Sequence, residues 1–291
     1  MLFSDNFYNH QIDKAFYNAP IVSTDIHKRI VLFSDCHRGN GTWSDNFLSN
    51  KTVYEAALTY YFNNGFTYIE LGDGDELWGN RKFSDITEIH NDIFDFLDKF
   101  RESGRLYMLW GNHDRVKSST GFATDVLPAS TEAILVEYAR HAYYYLLHGH
   151  QADLLNNQAW KIARWLVRYL WRPLELCGFK NPTSAAGNYN KCQIVEQRII
   201  SWAKQRNAKV VAGHTHRPAI ILSEDNSFEE AADAKNTDWR YCNTGSCVHP
   251  GSITCIEMDR GQISLIKWAT CSDASQYIHV CRHTISGPFD M

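Results

Sequence analysis

The chain has 291 residues, 44% of them hydrophobic and 21% charged, a composition typical of a soluble globular protein that excludes a disordered or collagen-like chain. Its 29 basic and 33 acidic residues leave a net charge of −4. The longest apolar runs, such as AYYYLL at 142–147, fall far short of the ~20 residues that a membrane helix needs. The opening MLFSDNFYNH has neither the basic start nor the apolar stretch of a secretory signal, so none is expected.

No internal repeat is evident. The first 29 residues are polar and aromatic, with a short helical stretch, QIDKAFYNA, suited to padding a sheet edge or making a dimer contact. The apolar run RIVLF reads as a buried strand, with SDCHRGNG as the loop after it. Residues 52–65 predict a helix stopped by Gly65, 66–71 a strand, and GDGDELWGN its loop. Residues 84–104 have helical spacing, 105–110 form the next strand, and GNHDR follows it. Two strands are expected at 133–139 and 142–148. Over 157–171, Ile162, Trp165, Leu166, Tyr169 and Leu170 fall on one helical face. A loop at 181–188, a second helix at 189–207 and the strand KVVAG at 209–213 come next, then HTHRP. Strands are expected at 218–222, 239–243, 252–258 and 262–268, with an acidic loop at 223–238. The C-terminal tail has no discernible role. Strands alternating with helices, with polar residues just after each strand, belong to α/β folds whose sites lie at strand C-terminal ends. The reading is one domain over 1–291 with a helical insertion at 153–207, too long for an ordinary loop and suited to a cap.

Charge is unevenly spread. Residues 151–209 hold ten basic and three acidic residues, so the remainder is net −11. A basic segment in an acidic protein suggests a region that faces an anion. The eight cysteines (Cys36, Cys177, Cys192, Cys242, Cys247, Cys255, Cys271 and Cys281) form no CxxC pair. Their spacing suits neither a zinc site nor a disulfide framework, and reduced thiols in a cytoplasmic protein are expected.

Five post-strand loops carry residues of metal-ligand type. They hold Asp35 and His37 in DCH, Asp73 in GD, Asn112 and His113 in GNHD, His148 in HGH, and His214 and His216 in GHTH. Carboxylate oxygens with imidazoles suit Mn²⁺, Fe or Zn²⁺. One Asp between two His-rich groups can bridge two ions about 3.5–4 Å apart, an arrangement that clamps phosphate and activates water.

The series resembles the calcineurin-like metallophosphoesterases, with their D-x-H, GD, GNH[DE], later H and GHxH in order. The resemblance covers about 31–218. It implies a four-layer α/β/β/α sandwich and a dinuclear hydrolase in which a metal-bridging hydroxide attacks phosphorus in line. One metal would be held by Asp35, His37 and His216, the other by Asn112, His148 and His214, with Asp73 between them. Mn²⁺ is the expected occupant, and Fe or Zn²⁺ would fit the same ligands. His113 would assist the leaving oxygen. His148 is chosen over His150 because the family places its ligand directly after the strand. Cys36, between two ligands, is expected to turn away into packing. The remaining histidines, among them His90, His279 and His283, are expected to be structural or exposed.

GDGDELW, with Glu76 and Trp78, and the later HGH and GHTHRP are more similar to the UDP-2,3-diacylglucosamine diphosphatase branch. The chain departs from that branch at His113, where the branch tends to carry Arg. Within the insertion, Lys161, Arg164, Arg168 and Arg172 form a basic stripe at helical spacing, interleaved with Trp160, Trp165 and Trp171. Arg164, Arg168 and Arg172 are candidate anion contacts, and Asn243 is a candidate at the edge of the site. The expected substrate is a phosphodiester or pyrophosphate in a small or lipid-linked molecule. The alternatives are a phosphomonoesterase, including a phosphoprotein phosphatase, and a non-catalytic binding scaffold. The acidic remainder argues against a nucleic-acid track. Oligomeric state is not set by the sequence.

Overall fold

The computed structural model describes residues 5–23, 28–42, 45–119, 121–122, 127–153, 156, 160–167, 169, 189–222, 239–272 and 277–291. Helix α1 (Asp5–Phe16) and strand β1 (Ile21–Ser23) come first. RIVLF forms β2 (Arg29–Phe33), whose last four residues are buried. A strand that is apolar on both faces must be covered on both, as in a parallel sheet between layers. Helix α2 (Lys51–Asn63), β3 (Thr67–Leu71), α3 (Phe83–Ile89), α4 (Asn91–Glu102) and β4 (Leu106–Leu109) follow. Then come β5 (Ala133–Ala139), β6 (Ala142–Leu147), α5 (Trp160–Leu166), α6 (Tyr189–Arg206), β7 (Lys209–Ala212), β8 (Ala219–Leu222) and β9 (Trp239–Asn243). Strands β10 (Ser252–Asp259), β11 (Gln262–Ser272) and β12 (Ile278–Asp290) complete the order.

The strands make two six-stranded sheets, ordered β12-β11-β10-β2-β3-β4 and β1-β5-β6-β7-β9-β8. Alternate residues of β2 face opposite ways. Ile30 and Leu32 join Ile134, Val136, Tyr144 and Val211 in a core between the sheets. Val31 and Phe33 join Tyr54, Leu58, Leu97 and Phe100 beneath α2 and α4. On the far side, Ile12 of α1 and Val195, Ile199 and Trp202 of α6 cover Val210 and Tyr241. The result is the expected α/β/β/α sandwich. Strands β2, β3 and β4 are parallel, as are β6, β7 and β9, and the motif loops leave from their C-terminal ends. Among the described residues, no helix is long and apolar enough to cross a membrane.

The structure differs from the sequence reading in several places. The helix expected over 84–104 is broken at His90, whose buried ring lies 2.8 Å from Asp45 Oδ2. Helix α6 was expected in the cap, yet its apolar face is buried on the second sheet. It is the crossover between the parallel strands β6 and β7, and such a connection must span the sheet, usually with a helix. The other described helix of the expected insertion is α5. Its expected apolar face is turned outward, with Ile162 65% and Trp165 59% exposed. Arg168 and Arg172 lie outside the described residues, as does the acidic loop at 223–238. The N-terminal segment is part of the sandwich: Trp202 Nε1 donates to Asp13 at 2.9 Å, and β1 pairs with β5. The tail forms the long edge strand β12.

A buried ionic cluster ties the first motif loops to the sheet. Arg38, beside His37, donates to both oxygens of Glu70 on β3 at 2.9 and 3.0 Å and to Asp75 at 2.7 Å. Lys117 Nζ lies 2.6 Å from Asp75 and 2.7 Å from Asp114. Asp114 accepts the backbone N–H groups of Gly111, Asp73 and Gly74. Burial would raise the Asp75 carboxyl, but Arg38 and Lys117 hold it down at about 2. Replacing Arg38 with Met should cost about 3–5 kcal/mol, because Glu70 and Asp75 then stay buried with half their compensation gone. A lowered urea midpoint at unchanged slope would show this. A carboxylate whose folded pKa is depressed stabilises the fold above its ordinary value of 3.8, and that part is lost as pH falls towards about 2. The wild type should therefore lose more stability than the variant across that interval.

Candidate metal centre

The motif loops meet where the two sheets' C-terminal ends converge, and the fit is tight. A methyl group added at Gly111 would lie 2.2 Å from Asp73 Oδ1. One added at Gly213 would lie 2.4 Å from Ser34 Oγ and 2.7 Å from Asp35 Oδ2. Glycine before Asn112 and before His214 is thus required by close approach. The loops are also pinned to one another: Asp35 N donates to Gly72 O, His37 N to Asp73 O, and His214 N to Asp35 Oδ2. Cys36 turns away from them, its thiol beside the Tyr54 hydroxyl.

Five of the expected ligands have left-handed backbone: Asp35 at φ 52°, His37 at 48°, Asp73 at 51°, His214 at 69° and His216 at 57°. Each such non-glycine residue costs on the order of 1–3 kcal/mol, and clusters of them mark sites where side-chain aim matters more than local comfort.

Three groups of donor atoms result here, each within 4.8 Å mutually: Asp35, His37 and His216; Asp73, His148 and His214; and His37 again with Glu76 and His113. The first two are adjacent, with His37 Nε2 3.9 Å from Asp73 Oδ2. His216 Nε2 lies 3.0 Å from Asp35 Oδ1, and His148 Nε2 lies 3.2 Å from Asp73 Oδ2. Yet Asp35 Oδ1, His37 Nε2, Asn112 Oδ1, His148 Nε2 and His214 Nε2 are all buried without a hydrogen bond. Each such atom costs roughly 1–3 kcal/mol when nothing satisfies it. Close approach without hydrogen-bond direction is what ligand atoms aimed at common centres produce, and the donor set fits one or more divalent ions.

Neighbouring groups fix the tautomers. His148 Nδ1 faces the Leu71 carbonyl at 2.8 Å, which leaves Nε2 as the ligand atom. Glu76 Oε2 receives both His37 Nδ1 at 3.1 Å and His113 Nδ1 at 2.7 Å. Burial would raise the Glu76 carboxyl, but the two imidazoles hold it well below the usual carboxylate range. His113 also stacks on Trp78, with centroids 4.2 Å apart. Its backbone N–H donates to Asp73 Oδ1 at 2.7 Å. Glu76, Trp78 and Asp114 were not singled out as site residues, although Glu76 and Trp78 lie within the GDGDELW pattern. Asp153, with Oδ2 3.5 Å from His214 Nε2, carried no sequence signal.

The remaining candidates divide. His150 belongs to none of these donor groups; burial pushes its ring well below the ordinary histidine value, so it stays neutral. Asn243, expected at the site edge, is fully buried. Its Nδ2 faces Gly213 O, Thr215 Oγ1 and Tyr241 Oη, and its Oδ1 accepts from Gly245 N. These bonds shape the GHTH turn. Arg164 lines a cavity of about 390 Å³ with Leu77, Asn80, Arg81 and Tyr169.

Residues 28–218 match the family model of the calcineurin-like phosphoesterases. No curated protein matches the chain. Among solved structures, Vps29 from Chaetomium thermophilum is similar at a TM-score of 0.43 and 10% identity, over 89% of this chain and 97% of that one. The same protein complexed with the RaPID-derived cyclic peptide RT-D3 gives 0.39 and 10%, over 89% and 96%.

Burial would lower the imidazoles of His37 and His148, but the carboxylates around them push them up to about 10 and about 9. Below those values both rings hold protons that a cation must displace. The affinity of the metal-free chain for Mn²⁺ should therefore rise as pH is raised towards about 9. Calorimetry in buffers of different ionisation enthalpy should show protons released. An affinity independent of pH would place the cation elsewhere.

Proposed function

This chain belongs to the calcineurin-like phosphoesterase family, and from that premise we propose that it hydrolyses a phosphodiester or pyrophosphate bond in a small or lipid-linked molecule. The observation that carries the reading is the set of buried donor atoms without hydrogen bonds, in loops where five of the expected ligands have left-handed backbone. Asp35, His37 and His216 would hold one divalent cation, and Asn112, His148 and His214 the other, with Asp73 shared. Mn²⁺ is the first candidate. When bound, the ions supply Lewis-acid charge to the phosphoryl oxygens and a nucleophile from water.

The protein's own groups do the rest. Glu76 fixes His113 through Nδ1, so Nε2 is the atom free to face a leaving oxygen. Trp78 sets the plane of that ring. The side chain of His113 is 22% exposed, which leaves it in reach of a substrate at the surface. Arg81 and Arg164 border the cavity next to Leu77 and can meet a second phosphate. The outward Ile162 and Trp165 of α5 suit an apolar portion of the substrate, with the chain after Asp153 acting as a cap. This is the feature that favours a lipid-linked diester or pyrophosphate over a simple monoester, in the manner of the UDP-2,3-diacylglucosamine diphosphatases. His113 in place of their Arg separates this chain from them.

With Mn²⁺, kcat/KM should be higher for a UDP-sugar-type pyrophosphate or bis-p-nitrophenyl phosphate than for p-nitrophenyl phosphate. Chelator and Asp73→Asn should each abolish turnover. His113→Ala should lower kcat by roughly 10²–10⁴ while leaving Mn²⁺ affinity in place. Arg164→Ala with Arg81→Ala should raise KM for the pyrophosphate and leave the small ester unaffected. A monoester preference would move the chain to the phosphatases, and chelator-resistant turnover would sink the proposal.

A further inference from the structure

Away from this centre, two thiols and two imidazoles meet on the hairpin of β11 and β12. Among the described cysteines, Cys36, Cys192, Cys242, Cys247 and Cys255 are buried, whereas Cys271 and Cys281 are partly exposed. Cysteine is among the most consistently buried residues, so two partly exposed cysteines side by side require a reason. Strand register brings them together. Cys271 stands opposite His279, Ala269 opposite Cys281, and Lys267 opposite His283. Opposed residues share a face, as do residues two apart on one strand. Cys271, His279, Cys281 and His283 therefore project from one face of the hairpin.

Their spacing is that of a ligand set. Cys271 Sγ is 3.4 Å from His283 Nε2, and Cys281 Sγ is 3.2 Å from His279 Nε2. Donor atoms of Cys271, Cys281 and His283 all lie within 4.8 Å of one another. A tetrahedral zinc ion, with bonds of about 2.3 Å to sulfur and about 2.0 Å to nitrogen, sets its donors roughly 3.3–3.8 Å apart. We propose that Cys271, Cys281 and His283, with His279 as the fourth donor, form a zinc site distinct from the phosphoesterase centre.

Donor chemistry separates the two sites. Thiolates with imidazoles select zinc, whereas the carboxylate, amide and imidazole set of the other centre also suits harder ions. Zinc binds the thiolate, so loading the site releases thiol protons. The consequence is mechanical. Among the described strands, β12 ends its sheet and pairs with β11 alone, and zinc would clamp these two strands together.

The test uses the full chain purified under reducing conditions and loaded with Co²⁺. Wild type should show thiolate-to-cobalt charge-transfer absorption in the near ultraviolet, and Asp73→Asn should keep it, since the other centre contributes no thiolate. Cys271→Ser and Cys281→Ser should each lose the band and, in the zinc-loaded protein, one zinc per chain by elemental analysis. His283→Ala should weaken zinc retention with both thiols intact, which guards against a serine variant that misfolds. The proposal is overturned by a wild type without the band, by a band that survives the double serine variant, or by a Cys271–Cys281 disulfide that persists through reduction. None of these outcomes depends on phosphoesterase turnover.

Discussion

The structure turns on holding a set of buried nitrogen and oxygen atoms close together and without hydrogen bonds to protein groups at the junction of two sheets. Left alone, such atoms repel, protonate or draw in water. Here they are held by backbone that pays for their aim with left-handed φ at Asp35, His37, Asp73, His214 and His216. Support comes from beneath. Asp114 collects the N–H groups of Gly111, Asp73 and Gly74, and Lys117 and Arg38 neutralise the carboxylates around it. The buried ionic cluster thus connects the aim of the ligands to the stability of β3 and β4.

On that frame, neighbouring groups fix how the donor rings are turned. Glu76 is a single carboxylate that meets two rings, His37 of the proposed ligand set and His113 outside it. The two rings are therefore coupled, with centroids 4.7 Å apart. The carboxylates that raise the proton affinity of His37 and His148 are those that would attract a cation, so protons and metal compete for one field. The side facing solvent is different in kind, with arginines and outward aromatic and aliphatic groups in place of buried carboxylates.

The first sheet ends in an edge, and the hairpin there illustrates a second way in which a fold creates a ligand set. In the motif loops, ligands lie next to strand ends and can be read along the chain. On β12, His279, Cys281 and His283 stand two apart on one face, and only the register with β11 brings Cys271 to them. The cysteine pattern read along the chain argued against a zinc site, because CxxC spacing is the signature of ligands on one turn and not of ligands on paired strands.

Much of the sandwich was legible because β2, β3, β4 and β7 are short continuous apolar runs followed by polar loops, and burial on both faces leaves few other readings. The order of the metal-type residues was legible for the same reason: side chains gathered at strand ends must be written in the residues that follow each strand. Other features needed the third dimension. The placing of α6 depended on which face of which sheet its apolar side could cover. The inward turn of Asn243 depended on what surrounded the GHTH loop. The role of β12 depended on an edge left open by β11. Sequence determined which residues could carry chemistry and that they would stand at strand ends. Only tertiary structure decided which of them converge, because convergence depends on register and sheet-to-sheet approach, and these are set by contacts between residues far apart in the chain.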